Sequence, residues 1–428
     1  MTKKTSAEFR SLTIYSIYLR NHGEWNTFSK LKQDLSRIRD MGFDSIWLMP
    51  IHAIGLENKK GDLGCPYSIQ DYSSISPEYG NEDDFKEFID AAHNMGLKVL
   101  IDVVYNHTSY NSNLYREHPE FFYRNAHGEV GSKEPVWSDV IDLDFSNMEL
   151  WPILIDTLRK WVALGVDGFR CDVASLVPID FWLKAREEVS KINPQTIWLA
   201  ESVDTDFLAA LRGNGFEVSD DANLYEVFDM LYDYDIYKQY KAFVKGQLSL
   251  NDYIDVVKNQ DTIYPNDYIK LRFIENHDQA RFSSLSENPE DKINFTVLSY
   301  MLKGATMVYA GQETTDTHTP SLFDVDPIHF ENRLPDYEKL LSRLNSLVKD
   351  EIFRTEDVQY EVLDDDLLVI RYEKEALVSV INFGKQSKEV HLNLVGEYEE
   401  ILTGKIQKDI LSIEVKDPII LKKHLPKY

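Results

Sequence analysis

The alternation of short apolar runs with longer amphipathic runs constrains the fold of this chain more than any other feature. Between about residues 11 and 350 the alternation repeats eight times. Each short run is typical of a buried strand, and each longer run is typical of a helix. Eight strand–helix units over this length predict a closed parallel (β/α)8 barrel, the TIM-barrel architecture. An open doubly wound sheet is the alternative, but no glycine-rich phosphate turn follows an early strand.

The predicted barrel strands are residues 13–19, 45–49, 97–104, 168–172, 196–200, 224–228, 269–274 and 306–310. The predicted helices are residues 28–41, 82–94, 151–164, 179–191, 237–258, 291–302 and 337–348. Residues 108–142 show no clear period, and so long an excursion within a compact domain is usually functional.

A change of period near residue 353 predicts a second domain. From there apolar residues alternate with a period of two, which is typical of antiparallel strands. The prediction is therefore a catalytic barrel formed by residues 1–107 and 143–350, with a short inserted domain at residues 108–142 after strand 3. A small C-terminal antiparallel β domain is predicted at residues 351–428.

Composition excludes several classes of partner. The 428 residues carry a formal net charge of -26, a field that repels phosphate backbones and anionic membranes, so no nucleic-acid or membrane partner is expected. The two cysteines, Cys65 and Cys171, are too few for a disulfide framework. The first residues lack the apolar segment of a secretory signal, which predicts a cytoplasmic protein; a secreted form with its signal removed is the alternative. The oligomeric state stays open.

Polar residues at the strand ends indicate the chemistry. Arg170 and Asp172 project from the same face of their strand, which by itself indicates a structural ion pair. Active sites of such barrels lie at the carboxyl ends of the strands, so side chains at other strand ends should join them. Together with Arg170, the expected set has three carboxylates, two histidines and a tyrosine from the loop after the second strand: Asp172, Glu201, Asp278, His107, His277 and Tyr67. Three carboxylates repel one another, and a functional site or a metal explains their retention.

Two chemistries fit such a set. A metal-dependent hydrolase would use carboxylates and histidines as ligands, but there is no close-spaced histidine pair, and Arg170 beside Asp172 opposes a cation. Glycoside cleavage needs one ionised carboxylate and one carboxylic acid that keeps its proton. Arg170 would keep Asp172 ionised, while apolar surroundings and nearby negative charge would raise the pKa of Glu201. Glycoside cleavage without a metal is the favoured interpretation.

Four segments resemble the signature regions of the α-amylase family, glycoside hydrolase family 13: Asp102-Val-Val-Tyr-Asn-His107, Gly168-Phe-Arg-Cys-Asp-Val-Ala174, Ala200-Glu201 and Glu275-Asn-His-Asp278. The resemblance implies that Asp172 is the nucleophile and that Glu201 is the general acid and then the base. It implies that Asp278 binds the reacting sugar and stabilises the transition state. Tyr67, His107, Arg170 and His277 would line the site of that sugar.

Departures from the family pattern refine the expected substrate. Ser175-Leu176 stand where α-amylases proper usually carry Lys-His, which weakens the case for a long-starch endo-amylase and for its calcium site. No cofactor is therefore expected: calcium is conceivable, with Asn106 and Asp144 as remnants of its site, but the full ligand pattern is missing. Asp172-Val173-Ala174 resembles the enzymes that act on small maltodextrins.

The resulting prediction is a retaining hydrolase of α-glucosidic bonds in short α-glucans, with an oligosaccharide as its partner. A glucosyl transferase, or a sucrose or oligosaccharide phosphorylase of the same family, is the alternative. A third interpretation is a non-catalytic relative, like the heavy subunits of amino-acid transporters. Such a protein would lack the three carboxylates and carry a membrane span, whereas this sequence has all three carboxylates and no apolar run long enough to span a bilayer.

Overall fold

The computed structural model describes residues 5–286 and 288–424. Eight parallel strands close into a barrel, which confirms the predicted fold class. The strands are β1 Thr13–Ile17, β2 Ser45–Leu48, β3 Lys98–Val103, β4 Gly168–Cys171, β5 Ile197–Ala200, β6 Met230–Tyr232, β7 Lys270–Arg272 and β8 Ala305–Tyr309. Each pairs with its neighbours in chain order, and β8 closes the barrel on β1.

The sixth strand lies beyond the predicted one, so that prediction is wrong. Residues 224–228 form the end of a short helix, Asp221–Leu224, and the turn that follows it. The Asp220 side chain starts this helix by accepting a hydrogen bond from the Asn223 amide, 3.2 Å away. A short apolar run does not distinguish a buried strand from a buried helical turn, which is the cause of the error.

Helices cover the outside of the barrel. The α-helices are α1 Phe28–Leu31, α2 Leu35–Asp40, α3 Glu82–Asn94, α4 Asn113–Glu117, α5 Leu150–Leu164, α6 Ile179–Ser190, α7 Thr205–Gly213, α8 Asp221–Leu224, α9 Tyr237–Val244, α10 Leu250–Ile263, α11 Phe282–Leu285, α12 Pro289–Met301 and α13 Pro335–Leu347. Short 3-10 helices occupy Ala7–Ser11, Leu19–Asn21, Pro119–Phe121, Ala174–Leu176, Phe330–Asn332 and Glu351–Arg354. Within the described residues, every helix is too short or too polar to cross a bilayer.

Local sequence explains several of the helix ends. Asn81 and Asp84 form a capping box at the start of α3, each side chain accepting a hydrogen bond from the other residue's amide. Helix α5 ends at Gly165, whose φ of 117° suits glycine. The predicted helix at residues 28–41 is divided into α1 and α2, and the predicted helix at 237–258 into α9 and α10.

Two loops pack together above the carboxyl ends of β2 and β3. The loop after β2 contains the short ribbon Ala53–Ile54 with Ile69–Asp71, and the segment after β3 contains the ribbon His107–Ser109 with Val140–Asp142. Ser68 donates to the Asp139 carbonyl oxygen at 3.0 Å, which joins the two loops. This joint places Tyr67 beside the barrel mouth.

The C-terminal region is an antiparallel sheet of six strands, as the period of two predicts. The strands are β9 Val358–Leu363, β10 Leu367–Tyr372, β11 Leu377–Asn382, β12 Lys388–Glu400, β13 Lys405–Val415 and β14 Ile419–Lys423. One face joins the barrel core through Tyr360, Ile370 and Tyr372. Tyr372 donates to the Met301 carbonyl oxygen at 3.1 Å, and Tyr360 accepts from the Lys303 amide at 3.2 Å. Met301 and Lys303 precede β8 in the chain, so the sheet contacts the barrel beside the amino end of β8.

Candidate active site

A cavity of about 450 Å³ lies at the carboxyl ends of the barrel strands. Its lining includes five of the residues selected from the sequence: Tyr67, His107, Asp172, Glu201 and Asp278. Arg170 and His277 are buried in direct contact with members of this set. The structure therefore brings together all seven predicted residues.

A larger cavity of about 900 Å³ lies between α12 and α13. Among the described residues, its lining contains a single carboxylate, Asp336. It offers no pair of acids for proton transfer, so the smaller cavity is the better candidate for chemistry.

One guanidinium holds three carboxyl groups beneath the cavity. Arg170 Nη1 donates to Asp102 Oδ1 at 2.9 Å and to Asp172 Oδ1 at 2.8 Å. Arg170 Nη2 lies 2.9 Å from Glu201 Oε1, an ion pair outside hydrogen-bond geometry. We call Asp102, Arg170, Asp172 and Glu201 the Arg170 cluster. The adjacent strands β3, β4 and β5 supply it, because Arg170 pairs with Asp102 on one side and with Leu199 on the other.

Asp102 is a site residue that sequence reasoning missed. It is fully buried within an apolar strand, where a carboxylate needs a partner. A carboxylate in the strand before that of Arg170 was a signal visible in the sequence. The sequence does not give the register of the two strands, however, and it is the register that places Asp102 beside Arg170.

The cluster contains more acid than its single cation can neutralise. Burial raises the pKa of Asp172 to about 7 and that of Glu201 to about 8, while the charge of Arg170 opposes both shifts. Burial likewise raises the pKa of Asp102 to about 7. The raised pKa of Glu201 matches the prediction. The expectation that Arg170 alone would keep Asp172 ionised is corrected, because three carboxyl groups share that guanidinium and titrate together.

Val173 orients Glu201 from the other side. Its backbone is left-handed, with φ 34° and ψ 48°, a strained conformation for a β-branched residue. In this conformation the Val173 amide donates to Glu201 Oε2 at 2.8 Å. The side chain packs in a small apolar cluster with Val203 and Leu208 beside the cavity. Glu201 is thus held between a backbone donor and a guanidinium.

Tyr67, His277 and Asp278 form a connected group of side chains beside the Arg170 cluster. The Tyr67 ring stacks on His277 at 5.6 Å, and its hydroxyl donates to Asp102 Oδ2 at 3.0 Å. His277 Nε2 lies 2.7 Å from that hydroxyl and 3.1 Å from Asp278 Oδ2. Burial lowers the pKa of His277 to about 4, so its imidazole is neutral near pH 7. We assign its proton to Nε2, because the Tyr67 hydroxyl donates its own proton to Asp102 and the Asp278 carboxylate is an acceptor. The Asp278 side chain is 35% exposed and faces the cavity.

His107 and Trp137 complete the wall contributed by the segment after β3. His107 Nε2 lies 4.0 Å from Asp172 Oδ2, and burial lowers the pKa of His107. The Trp137 ring lies 5.5 Å from the imidazole and lines the cavity. An aromatic face beside polar groups suits a ligand that has both apolar and hydroxylated surfaces.

The residues considered for calcium do not form a ligand set. Asn106 Nδ2 lies 3.5 Å from Asp142 Oδ1, and Asp144 accepts from the Ser146 amide within a turn. Within residues 5–286 and 288–424, no group of three or more histidine, cysteine or acidic side chains is arranged to hold a metal ion.

Neither cysteine takes the role of a nucleophile here. Cys171 is buried in the barrel wall, on the opposite face of β4 from Arg170. Cys65 lines the cavity, but burial raises the pKa of its thiol to about 12, which disfavours the reactive thiolate.

Comparisons with known proteins agree with this geometry. The model of the alpha amylase catalytic domain matches residues 20–360. An alpha-amylase structure from Lactobacillus plantarum is 40% identical, with a TM-score of 0.93, and the match covers 97% of this chain and 99% of that one. The maltogenic alpha-amylase AmyB from Thermotoga neapolitana is 31% identical, with a TM-score of 0.83 and coverage of 97% and 99%.

Curated relatives are longer proteins. Alpha-amylase MalA of Haloarcula japonica is 27% identical over 414 residues, which are 91% of this chain and 58% of that protein. Others are alpha-1,4-glucan:maltose-1-phosphate maltosyltransferases, and the chain spans between 29% and 59% of the lengths of those proteins. The match to the family model over most of the chain, together with the closely similar structures, shows that the chain belongs to the α-amylase family.

Proposed function

We propose that this enzyme is a retaining hydrolase of α-glucosidic bonds in short α-glucans. The observation that carries the proposal is that Asp172 and Glu201 face one cavity while contacting the same guanidinium. A shared guanidinium keeps Asp172 and Glu201 close to each other. Close carboxyl groups favour the retaining mechanism, because retaining enzymes in general hold the pair about 5–5.5 Å apart and inverting enzymes about 6.5–9.5 Å.

In the first step Asp172 attacks the anomeric carbon while Glu201 gives its proton to the departing glycosidic oxygen. The bond from the anomeric carbon to that oxygen breaks, and a β-linked glycosyl-enzyme forms. The raised pKa of Glu201 supports a protonated acid near neutral pH. Arg170, 2.8 Å from Asp172 Oδ1, supports the anionic nucleophile.

In the second step Glu201, now a carboxylate, accepts a proton from water. The resulting oxygen nucleophile attacks the anomeric carbon, releases Asp172 and produces the α-anomer. Asp278 is positioned to accept hydrogen bonds from sugar hydroxyls, because its carboxylate is partly exposed in the cavity and its other contact is His277. Tyr67 lines the same cavity, where an aromatic side chain would contact the apolar surface of the reacting sugar.

The cavity supports a small substrate. Its volume of about 450 Å³ lies in the lower part of the range of about 300–1,000 Å³ typical of small-molecule sites. Trp137 adds an aromatic face, and the similar Thermotoga protein is named a maltogenic amylase. Short maltodextrin-like oligosaccharides fit these features.

Time-resolved proton NMR tests the proposal. The enzyme is mixed with maltotriose, panose, isomaltose or sucrose, and the anomeric signals are followed before mutarotation. We expect α-anomeric product to appear first from maltotriose or panose, and the substrate used would identify the preferred linkage. A β-anomer appearing first would contradict the retaining assignment, and no turnover of any of the four would contradict the substrate class.

A transferase or phosphorylase is the second candidate, because some curated relatives are maltosyltransferases that use maltose 1-phosphate by name. The same NMR assay with added phosphate separates the two. Formation of a sugar 1-phosphate, or consumption of sucrose, would favour the second candidate over the hydrolase.

A further inference from the structure

Three loops meet at one side of the cavity. They are residues 57–64 after β2, which we call the rim loop, residues 134–139 of the segment after β3, and residues 320–326 after β8. The cavity lining includes members of all three, namely Lys60, Asp139, Leu322 and Phe323. The contacts among these loops decide whether a long chain can pass over this side.

The rim loop is joined by its backbone to residues 320–326. The Asp62 amide donates to Asp324 Oδ1 at 2.8 Å, and the Leu63 amide donates to the Phe323 carbonyl oxygen at 3.0 Å. Gly61 has a φ of 64°, and a Cβ added there would lie 2.5 Å from Phe323 Cβ. The two loops are therefore packed without space between them at this point.

Lys60 joins the rim loop to residues 134–139. Its Nζ lies 2.8 Å from Asp139 Oδ1 and donates to the Val136 carbonyl oxygen at 3.1 Å. The Asp139 side chain is only 5% exposed, so this ion pair is partly shielded from solvent. Partial shielding makes the pair stronger than an exposed salt bridge.

Two of the three loops, the rim loop and residues 320–326, are anchored at their base by the segment after β1. Buried Arg20 donates to the Gly64 carbonyl oxygen at 2.9 Å and to the Leu322 carbonyl oxygen at 3.3 Å, and it pairs with Glu78 at 2.8 Å. Asn21 donates to the Ser321 carbonyl oxygen at 2.7 Å and accepts from the Asp326 amide at 2.8 Å. The rim is thus built on buried side chains at its base.

We propose that this joined rim closes one end of the sugar-binding cavity and that Lys60 is the clamp that determines substrate length. A polymer bound at its interior must leave the cavity at two ends, and the rim removes one of them. The site then accepts the ends of short α-glucans and excludes the interior of long chains. This inference rests on the proposed hydrolase function, which it makes more specific.

The test compares maltotriose with amylose as substrates. For each enzyme we measure kcat/KM on both and the chain lengths of the first products. The test variants are Lys60→Met, which removes the clamp, and Lys60→Met with Asp324→Ala, which also removes the acceptor for the Asp62 amide. Lys59→Met is the matched control, because Lys59 lies in the same loop and donates within that loop, to the Asp62 carbonyl oxygen.

We expect wild type to release short products of uniform length and to use amylose poorly. The double variant should raise the amylose-to-maltotriose ratio of kcat/KM by about tenfold or more, a discrimination typical of changed substrate contacts, and should broaden the product lengths. Lys59→Met should retain the wild-type ratio. If the double variant does not fold, Lys60→Met alone should move the ratio in the same direction.

Two results overturn the inference. Wild-type cleavage of amylose into mixed lengths, at a rate comparable with maltotriose, would show that the rim does not exclude chain interiors. Turnover of maltotriose with an unchanged ratio in the folded variants would show that the clamp does not set length. Failure of folded wild type to turn over maltotriose would instead overturn the proposed function, and the inference with it.

Discussion

Two arginines in this barrel, the fully buried Arg170 and the partly buried Arg37, hold acidic side chains in opposite ways. Arg37, on α2, makes paired hydrogen bonds to Asp34, with Nε and Nη2 each 2.7 Å from a carboxylate oxygen. Its third nitrogen donates to Glu313 at 2.7 Å, and Tyr15 donates to the same glutamate at 2.6 Å. His22 also contacts Asp34 at 2.9 Å. We call this set the Arg37 cluster.

The difference lies in how many donors each carboxylate receives. Burial alone would raise the pKa of Asp34 and Glu313, but hydrogen bonds and the charge of Arg37 outweigh it, so both pKa values are lowered. In the Arg170 cluster one guanidinium serves three carboxyl groups, and burial prevails in each of them. The acids of the Arg37 cluster therefore stay ionised at neutral pH, whereas the Arg170 cluster can retain a transferable proton near neutral pH.

Buried charge by itself consequently does not mark a reactive site. Both clusters contain an arginine with acids at hydrogen-bond distance, and both draw on residues near strand ends. What distinguishes the Arg170 cluster is an excess of acid over donors, together with access to a cavity for Asp172 and Glu201.

The largest expected effect is on Asp172. Asp172→Asn should lower kcat/KM on maltotriose by about 10⁴- to 10⁶-fold, the scale for removal of a covalent nucleophile. It should still fold, and thermal unfolding should show no loss of stability at pH 8, because a poorly compensated buried charge has been removed. Asp34→Asn is the control: it should lose stability but keep its turnover. Near wild-type turnover in Asp172→Asn would contradict the nucleophile assignment.

The next effect concerns the proton on Glu201. Because its pKa is raised to about 8, wild-type kcat/KM should fall as the pH rises through this region and the acid loses its proton. Glu201→Gln should lower kcat/KM by about 10²- to 10⁴-fold, as expected for loss of general acid–base catalysis, and should remove the basic limb of the pH profile. Glu313→Gln should keep that limb. A basic limb that persists in Glu201→Gln would assign it to another group.

A smaller effect, on stability alone, is expected at Arg37. Arg37→Met leaves Asp34 and Glu313 buried without their cation and should cost about 3–5 kcal/mol of unfolding free energy at pH 7, as for other broken buried pairs. The pKa values of Asp34 and Glu313 are lower in the folded protein than in the unfolded chain. Their ionised forms therefore stabilise the fold above about pH 4, and this stabilisation is lost as the pH falls and the two acids take up protons.

Urea denaturation at pH 7 and pH 3 measures this loss, which should shrink at the lower pH. Exposed Arg39 on the same helix pairs with adjacent Asp40, so Arg39→Met should change stability by less than about 1 kcal/mol. Equal losses at both pH values would show that the Arg37 cluster does not depend on ionised acids.

The smallest effect is expected from chelation. A metal ion at the Arg170 cluster would add positive charge and lower the pKa values of its acids. The acids of the two clusters would then both be ionised at neutral pH. We therefore expect kcat/KM on maltotriose to be unchanged after treatment with EDTA and dialysis. A large loss of activity that added calcium restores would show that a cation belongs to the enzyme.

Sequence periodicity predicted the barrel because side-chain alternation is local and visible in any window of the chain. It also located Asp172, Glu201 and Asp278, since the carboxyl ends of parallel strands must converge. Periodicity did not locate β6, because residues 224–228 are mostly apolar but lie at a helix end and in the turn after it. There the choice depended on packing, because the run is too short for its period to decide.

The amino-acid sequence by itself thus determined the architecture and the acids that meet at the barrel mouth. The tertiary structure alone decided that Asp102 shares Arg170, that Val173 turns its amide toward Glu201, and that Lys60 pairs with Asp139. The physical reason is distance along the chain. Hydrophobic periodicity is visible within one short segment, whereas the pKa of a buried acid depends on every charge and hydrogen-bond donor around it. Those groups come together only when strands and loops far apart in sequence have packed.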